Sequence, residues 1–305
     1  IRADFGSIPD STDNEGIVVS APACTRMKFK ITGKAAHAGA EPEKGINAVL
    51  ILDGTSGTEG DFGANKDLTG GQKYVQYFGE EVEKILKEEP DKPLEDVMKS
   101  AISGVWDRFE EEAEENVESY FSGEDVVLQR AETVPAAVGA IIRWDENELE
   151  LLHVGDVETY IETRKDVETY SNETHGRFDE LRDQYVEKYG RGSEEVKEIV
   201  SKHRSAHNLP GTYPNMSFNP LAVEKLGVKK NYTREDIKRV VLSTDGGTVR
   251  MKRIFELKDS EVLDFLDENG VERALKKLRE EEEKMDVNAL KKSDDAAIAD
   301  IRFDR

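Results

Sequence analysis

Hydrophobic residues recur at helical spacing in several parts of the chain. Residues 72–87 place tyrosine, phenylalanine and aliphatic side chains on one helical face, which predicts an amphipathic helix. A second helix is predicted from about Leu94 to Tyr120, and the intervening segment PDKP separates it from the first. Further helices are predicted near residues 194–202, 259–269 and 271–285.

Shorter runs of apolar and β-branched residues predict strands that pair as hairpins. The run Ala136–Trp144 is followed by three polar residues and then by the run Glu148–Val154, a spacing typical of a hairpin. Other predicted strands are GIVVSAPA, RMKFKITG and residues 158–163, 239–243 and 296–303. Apart from the helix near 194–202, residues 171–235 are predicted to be irregular. Antiparallel hairpins separated by long helix pairs indicate an α+β fold with two sheets sandwiched by helices.

Acidic residues stand at the ends of several predicted strands. The run LILDGTSG leads into Asp53-Gly54, and VVLSTDGG leads into Asp245. Gly155-Asp156 forms the turn of a predicted hairpin, and Asp294-Asp295 precede the last predicted strand. One Asp-Gly pair is an ordinary turn. Repetition at several strand ends favours carboxylates that converge on one metal site.

Composition limits the classes of function. With 65 acidic and 43 basic residues the net charge is −22, which argues against binding to nucleic acid or to an anionic membrane. No apolar run approaches the roughly 20 residues that span a bilayer, and the N-terminus lacks the features of a signal peptide. The single cysteine, Cys24, excludes an internal disulfide, so a reducing, cytoplasmic location is expected. Ile1 in place of Met indicates a processed, truncated or partial chain.

Four motifs in order resemble one enzyme family. AVLILDGTSG, then LHVGDVETYI, VVLSTDGG and DDAAIADI are similar to segments of protein phosphatase 2C, the metal-dependent serine/threonine phosphatases. The resemblance covers about residues 49–305. It implies a helix–sheet–sheet–helix sandwich, a phosphoprotein substrate, and hydrolysis of the phosphate monoester by a water that two Mn²⁺ or Mg²⁺ ions activate.

The same resemblance implies the metal ligands, but it leaves the catalytic and substrate-binding groups unassigned. Asp53 would bridge the two metals, and Gly54 would offer its carbonyl oxygen. Asp245 and Asp294 would hold the first metal, with Asp295 as the alternative to Asp294. Asp156 matches a position that helps to hold a weaker third metal.

Two features depart from the phosphatase pattern. The family's N-terminal strand pair carries an arginine for phosphate and an Asn-Glu-Asp-like element, and here only STDNEG, with Asp13, Asn14 and Glu15, offers a replacement. The family also has a carboxylate four positions after Asp245, where this chain has Val249. A catalytically inactive phosphatase-like binding protein is therefore the alternative function.

Residues of about 16–49 resemble a different family. GKAAHAG followed by PEKGINAV is similar to the lid, or dimerisation, domain of zinc metallopeptidases of the peptidase T and aminoacylase kind. The predicted domains are therefore 1–48, lid-like, and 49–305, phosphatase-like. In the lid family the histidine at the position of His37 helps to bind substrate at the zinc site of another subunit. A partial metallopeptidase lid chain is thus a further alternative, and the oligomeric state is left open.

Three other histidines are interpreted mainly as structural. His153 stands on a predicted strand and is interpreted as a packing residue in preference to a general acid. His203 and His207 flank a loop and could reach phosphate or protonate a leaving group, but the favoured interpretation is that they are solvated.

Overall fold

The structure is a computed structural model that describes part of the chain in thirteen stretches. They are residues 2–4, 18–20, 26–28, 30–33, 47–54, 70–112, 135–171, 173–190, 192–209, 212–217, 220, 222–285 and 296–303. The chain divides into two compact units. The first comprises residues 1–52, 139–171 and 228–305, and the second comprises residues 53–138 and 172–227.

The described strands are numbered in chain order. They are β1 (Arg2–Asp4), β2 (Val18–Ser20), β3 (Arg26–Lys28), β4 (Lys30–Gly33), β5 (Asn47–Gly54), β6 (Ala137–Trp144), β7 (Glu148–Val154), β8 (Glu158–Thr163), β9 (Val167–Tyr170), β10 (Val228–Thr233), β11 (Ile237–Ser243) and β12 (Ile298–Arg302). Two five-stranded sheets have the orders β1-β12-β11-β8-β9 and β10-β7-β6-β5-β4, and β2 pairs with β3 alone.

The described α-helices are numbered in the same way. They are α1 (Gly70–Glu88), α2 (Leu94–Glu112), α3 (Glu173–Tyr189), α4 (Glu194–Ser205), α5 (Arg250–Phe255), α6 (Asp259–Asn269) and α7 (Val271–Lys284). Single π-helical turns form at Ala222–Leu226 and Asp245–Val249. No helix in the described part of the chain has the length and apolarity that a membrane span requires.

The first sheet is built around β11. Its residues Val240, Val241 and Leu242 are fully buried, as expected for a short continuous apolar run in a central strand. β11 pairs antiparallel with β12 on one side and with β8 on the other. Helices α6 and α7 pack on this sheet, where Leu266 and Leu278 join the core cluster that includes Tyr160.

A single residue joins α6 to α7. Gly270 has φ of 70° and donates its backbone N–H to the carbonyl of Leu266 at 2.8 Å, which ends α6. This conformation is accessible to glycine without steric cost. The next helix therefore begins immediately and covers the same core.

A buried ion pair links the centre of the first sheet to α6. Arg239 on β11 donates to both carboxylate oxygens of Asp300 on β12, at 2.7 Å each. The side chains of these residues are 4% and 1% exposed. The guanidinium also reaches the carbonyl of Leu263 at 3.3 Å and the carboxylate of Asp267 at 3.1 Å.

Aromatic and tyrosine contacts join the two sheets within the first unit. Trp144, at the end of β6, packs edge to face on Phe303, which follows β12, with ring centroids 5.4 Å apart. At the sheet edges, the hydroxyl oxygens of Tyr170 of β9 and Tyr232 of β10 lie 2.6 Å apart, and each lies within hydrogen-bond distance of the Glu168 carboxylate. Because each hydroxyl has one proton, two of these three contacts are hydrogen bonds at any one time.

The second unit contains the helix pair α1 and α2. Tyr77 of α1 and Phe109 of α2 pack with centroids 5.6 Å apart, and Arg108 lies 3.7 Å above the Tyr77 ring. Arg108 also donates to Glu80 at 2.8 Å. The amphipathic pattern of α1 is thus satisfied by packing against its partner helix.

The predicted α+β class, the β6–β7 hairpin and most helices are confirmed. The hairpin predicted around Gly155-Asp156 was wrong, because β7 and β8 belong to different sheets. The helix predicted near residues 194–202 is confirmed as α4, but the rest of 171–235 was wrongly predicted to be irregular, because it contains α3 and β10. The strand β9 was also missed. The end of the predicted second helix, at residues 113–120, lies outside the described residues.

The first 48 residues contribute strands to both sheets. β1 pairs antiparallel with β12, and β4 pairs antiparallel with β5. The two strands predicted from GIVVSAPA and RMKFKITG correspond to β2 and to β3 with β4. The division into domains 1–48 and 49–305 stays a prediction.

We expect Asp300→Asn to lower the free energy of unfolding by about 3 to 5 kcal/mol, because it removes the buried carboxylate that pairs with Arg239 through two hydrogen bonds and leaves only the partly exposed Asp267 as a charge partner. Urea denaturation measures the change. The same substitution at the exposed Asp264 of α6 is the matched control and should cost no more than about 0.5 kcal/mol. A loss below about 1 kcal/mol for Asp300→Asn would contradict the expectation.

Candidate metal site

Asp53 and Gly54 are the last two residues of β5. Residues 48–52 are buried, and exposure begins at Asp53, so the carboxylate stands where the strand leaves the core. A Cβ on Gly54 would lie 3.2 Å from a methyl carbon of Val75 and 3.3 Å from the carbonyl oxygen of Gly71. The first turn of α1 therefore approaches the strand end closely, which explains why a glycine follows Asp53.

Asp156 lies in the turn between β7 and β8. Gly155 adopts φ of 95°, which favours glycine. His153 holds this turn from within: Nε2 donates to the carbonyl of Gly155 and Nδ1 accepts from the Thr159 hydroxyl, both at 3.1 Å. Because a carbonyl only accepts, the proton of the neutral ring is on Nε2. His153 is buried, and its interpretation as a packing residue is consistent with these contacts.

Asp245 begins the π-helical turn that follows β11. One carboxylate oxygen accepts the backbone N–H of Gly246 at 2.6 Å. A Cβ on Gly247 would lie only 2.3 Å from the Ser243 hydroxyl oxygen, so no larger residue fits there without a shift. The turn is therefore packed tightly on the end of its own strand.

Two hydrogen bonds attach the start of this turn to Ala297, just before β12. Thr244 and Ala297 exchange hydrogen bonds: the Thr244 N–H donates to the carbonyl of Ala297, and the Ala297 N–H donates to the Thr244 hydroxyl, both at 3.0 Å. The position of Asp245 thus depends on the strand that enters β12.

In the register of the first sheet, Asp156 and Asp245 lie at the same end of the paired strands β8 and β11. Glu158, the first residue of β8, pairs with Ser243, the last residue of β11. Each aspartate lies two residues beyond that pair. Ser243 also pairs with Ile298, where β12 begins. Asp294 and Asp295 precede β12 in the sequence but lie outside the described residues.

The donor chemistry of the predicted ligands suits a hard divalent cation. Carboxylate and carbonyl oxygens are the ligands that Mg²⁺ and Mn²⁺ prefer. Within the described ranges, no three His, Cys, Asp or Glu side chains are grouped so that they would hold a metal ion. Asp294, Asp295 and the acidic residues of STDNEG lie outside these ranges.

A buried acidic network beside Asp245 was missed by the sequence analysis. Glu158 is 2% exposed and accepts hydrogen bonds from Tyr160 at 2.8 Å and from the Thr248 hydroxyl at 2.6 Å. Lys252 lies 2.5 Å from Glu158 and 2.5 Å from Asp259. Burial raises the pKa of Tyr160, and the Glu158 carboxylate adds to the increase. The sequence signal that could have indicated this network is the spacing of Glu158 and Tyr160, which puts both side chains on the same face of one strand.

The interpretation of His203 and His207 as solvated was wrong for His207. His207 is buried, and its Nδ1 lies 3.0 Å from the side-chain amide of Asn215. Its ring packs on Tyr213 with centroids 4.9 Å apart. His203 stacks on Phe178 at 3.7 Å. Both rings therefore belong to an aromatic cluster in the second unit.

Comparison with known proteins supports the fold of the chain but assigns it to no sequence family. No model of a known protein family matches the chain. A curated relative, the uncharacterized protein YqjE of Bacillus subtilis (strain 168), is 48% identical over 52 residues, or 17% of this chain. The match spans only 14% of that relative. Its name states no activity, so the metallopeptidase-lid resemblance stays a prediction.

Two solved structures share the architecture over nearly the whole chain. A bacterial serine phosphatase is 14% identical with a TM-score of 0.51, covering 94% of this chain and 95% of that one. The serine/threonine phosphatase Stp1 from Staphylococcus aureus is 12% identical with a TM-score of 0.53, covering 99% of both chains. The chain therefore has the fold of these phosphatases, which confirms the predicted fold class.

We expect the stability contributed by His153 to disappear in acid. Burial lowers the pKa of His153 to about 4, against an opposing effect of the hydrogen bond to Gly155, whereas the unfolded chain takes up this proton near pH 6.5. The contribution is complete above pH 6.5 and is lost as the pH falls towards 4, by about 3 kcal/mol in total. Urea denaturation at several pH values should show this extra loss in the wild type but not in His153→Gln. Parallel pH profiles would contradict it.

Proposed function

We propose that the protein is a metal-dependent phosphatase that hydrolyses phosphoserine or phosphothreonine in protein substrates. The observation that carries the proposal is the register that puts Asp156 and Asp245 at the same end of the paired strands β8 and β11, in a chain with the fold of a serine phosphatase and a serine/threonine phosphatase. The single cysteine and acidic composition fit the proposed cytoplasmic location.

The proposed ligands are those that the strand ends supply. Asp53, Gly54, Asp245 and either Asp294 or Asp295 would hold two Mn²⁺ or Mg²⁺ ions, and Asp156 would help to hold a third. When bound, such ions neutralise phosphoryl oxygens and lower the pKa of a bound water. In a chain with net charge −22, an acidic site needs this positive charge to attract a phosphate dianion.

The surrounding residues hold the donor groups in place. Gly54 lets the start of α1 lie against the end of β5, and the His153–Thr159 contact closes the turn that carries Asp156. Asp245 accepts the N–H of Gly246, which orients its carboxylate relative to the turn. Donor groups that are already held in place lose little conformational entropy when a cation binds, so the proposed ligand set would be preorganised.

Val249 favours a second candidate, a phosphatase-like binding protein without activity. It is the last residue of the π-helical turn and carries no carboxylate, so the turn supplies Asp245 alone where the phosphatase resemblance implies a second acidic side chain. Such a protein would bind a phosphopeptide without releasing phosphate. A phosphopeptide binding measurement, combined with phosphate release, separates the two candidates.

We expect the wild type to hydrolyse p-nitrophenyl phosphate in the presence of Mn²⁺ and to stop when the metal is chelated. Asp53→Asn should lower kcat/KM by about 100-fold or more, because it would remove a carboxylate that is proposed to hold the ions. Absorbance of released p-nitrophenolate measures the rate.

Asp91→Asn is the matched control in the same unit, since Asp91 is exposed in the segment between α1 and α2. Its rate should equal that of the wild type. Equal rates in the wild type and Asp53→Asn would refute the proposed role of Asp53. Phosphopeptide binding without any turnover would favour the second candidate.

A further inference from the structure

We infer that Glu158 is a positioning residue that holds the turn at residues 245–249, and with it Asp245, through the hydroxyl of Thr248. The inference rests on the proposed function in that Asp245 is taken as a metal ligand. Glu158 makes no direct contribution to the proposed ligand set. Its role would be to keep one ligand-bearing turn in a single position.

The geometry places Glu158 directly beside the turn. It begins β8 and pairs with Ser243, two residues before Asp245. Its Oε2 atom accepts the hydroxyl protons of Thr248 and Tyr160, and its Oε1 atom accepts from Lys252. One carboxylate therefore connects β8, the π-helical turn and α5.

The charge on Glu158 is compensated within the network. A buried carboxylate is costly unless it is paired and hydrogen-bonded, and here three donors converge on it. Burial lowers the pKa of Lys252, but Glu158 and Asp259 outweigh this effect and raise it overall. Lys252 therefore stays protonated, and its bridge to Asp259 ties the network to the start of α6.

The Thr248 hydroxyl transmits this rigidity to Asp245. The backbone N–H of Thr248 donates to the Ser243 hydroxyl at 2.8 Å, while its side chain donates to Glu158. The turn is thus held at one residue by two separate groups. Arg250, the next helical residue, donates its N–H to the carbonyl of Asp245 and so closes the turn on its first residue.

The substitution Thr248→Val tests the connection, because it removes the hydroxyl and keeps the side-chain shape. We expect it to weaken Mn²⁺ binding to the full chain by about tenfold, as for other groups that orient a metal ligand. Calorimetric titration with MnCl₂ measures the affinity. Thr248→Ser keeps the hydroxyl and should restore affinity to within about twofold of the wild type.

Hydrogen exchange supplies a second readout that needs no metal. In Thr248→Val the amides of residues 246–248 should exchange roughly tenfold faster, the effect of losing one hydrogen bond. Thr233→Val is the matched control, since Thr233 is exposed at the end of β10, and it should leave both readouts unchanged.

A second pair of variants tests Glu158 itself. Glu158→Gln keeps the shape but removes the charge, and it should also weaken Mn²⁺ binding and speed exchange in the turn. Glu162→Gln is the control on the same strand, because Glu162 forms a surface ion pair with the exposed Lys238, at 3.4 Å. Glu162→Gln should behave as the wild type does.

The outcomes separate this inference from the proposed function. Wild-type Mn²⁺ affinity and unchanged exchange in both Thr248→Val and Glu158→Gln would overturn the positioning role while leaving the metal site intact. A wild type that binds no Mn²⁺ would overturn the metal-dependent phosphatase. In that case the exchange rates still decide whether Glu158 and Thr248 hold the turn.

Discussion

The antiparallel pairing of β11 with both of its neighbours is the constraint on which the rest of the structure depends. The same residue, Ser243, faces Glu158 on β8 and Ile298 on β12. A shift of one residue in either pairing would turn buried side chains towards the opposite face of the sheet. The register is therefore set by the core, and it also decides where the acidic turns emerge.

Buried and turn carboxylates have different environments in this strongly acidic chain. Asp300 is matched to Arg239, Glu282 to Arg250 and Arg279, and Glu158 to Lys252. Each of these buried acids receives a cation from another element, or from its own helix in the case of Arg279. Asp53, Asp156 and Asp245 are only partly buried, at strand ends and turns. The fully buried acids that pair with cations of the core are thus distinct from the aspartates proposed as metal ligands.

Local sequence patterns predicted most of the secondary structure, but they could not predict contacts between residues that are far apart in the sequence. The helix α1 and the β6–β7 hairpin carry clear periodicity and a short turn, so sequence alone was sufficient. In α3 the apolar side chains, among them Phe178 and Tyr185, are few among charged residues, which concealed the helix. Thr248 lies 90 residues from Glu158, and no spacing rule predicts that contact. The strand-end positions of Asp53, Asp156 and Asp245 were visible, but the packing that orients them was not.

The tyrosine pair that joins β9 to β10 bears on how easily another strand could add to these sheet edges. Among the described residues these strands end their sheets, and an edge strand offers unpaired backbone groups to another molecule. The hydroxyls of Tyr170 and Tyr232 meet at that place beside the Glu168 carboxylate, and β10 carries the exposed cations Lys229 and Lys230. A strand from another molecule that added at this edge would have to desolvate these charges. The charges therefore oppose edge-to-edge association of the sheets.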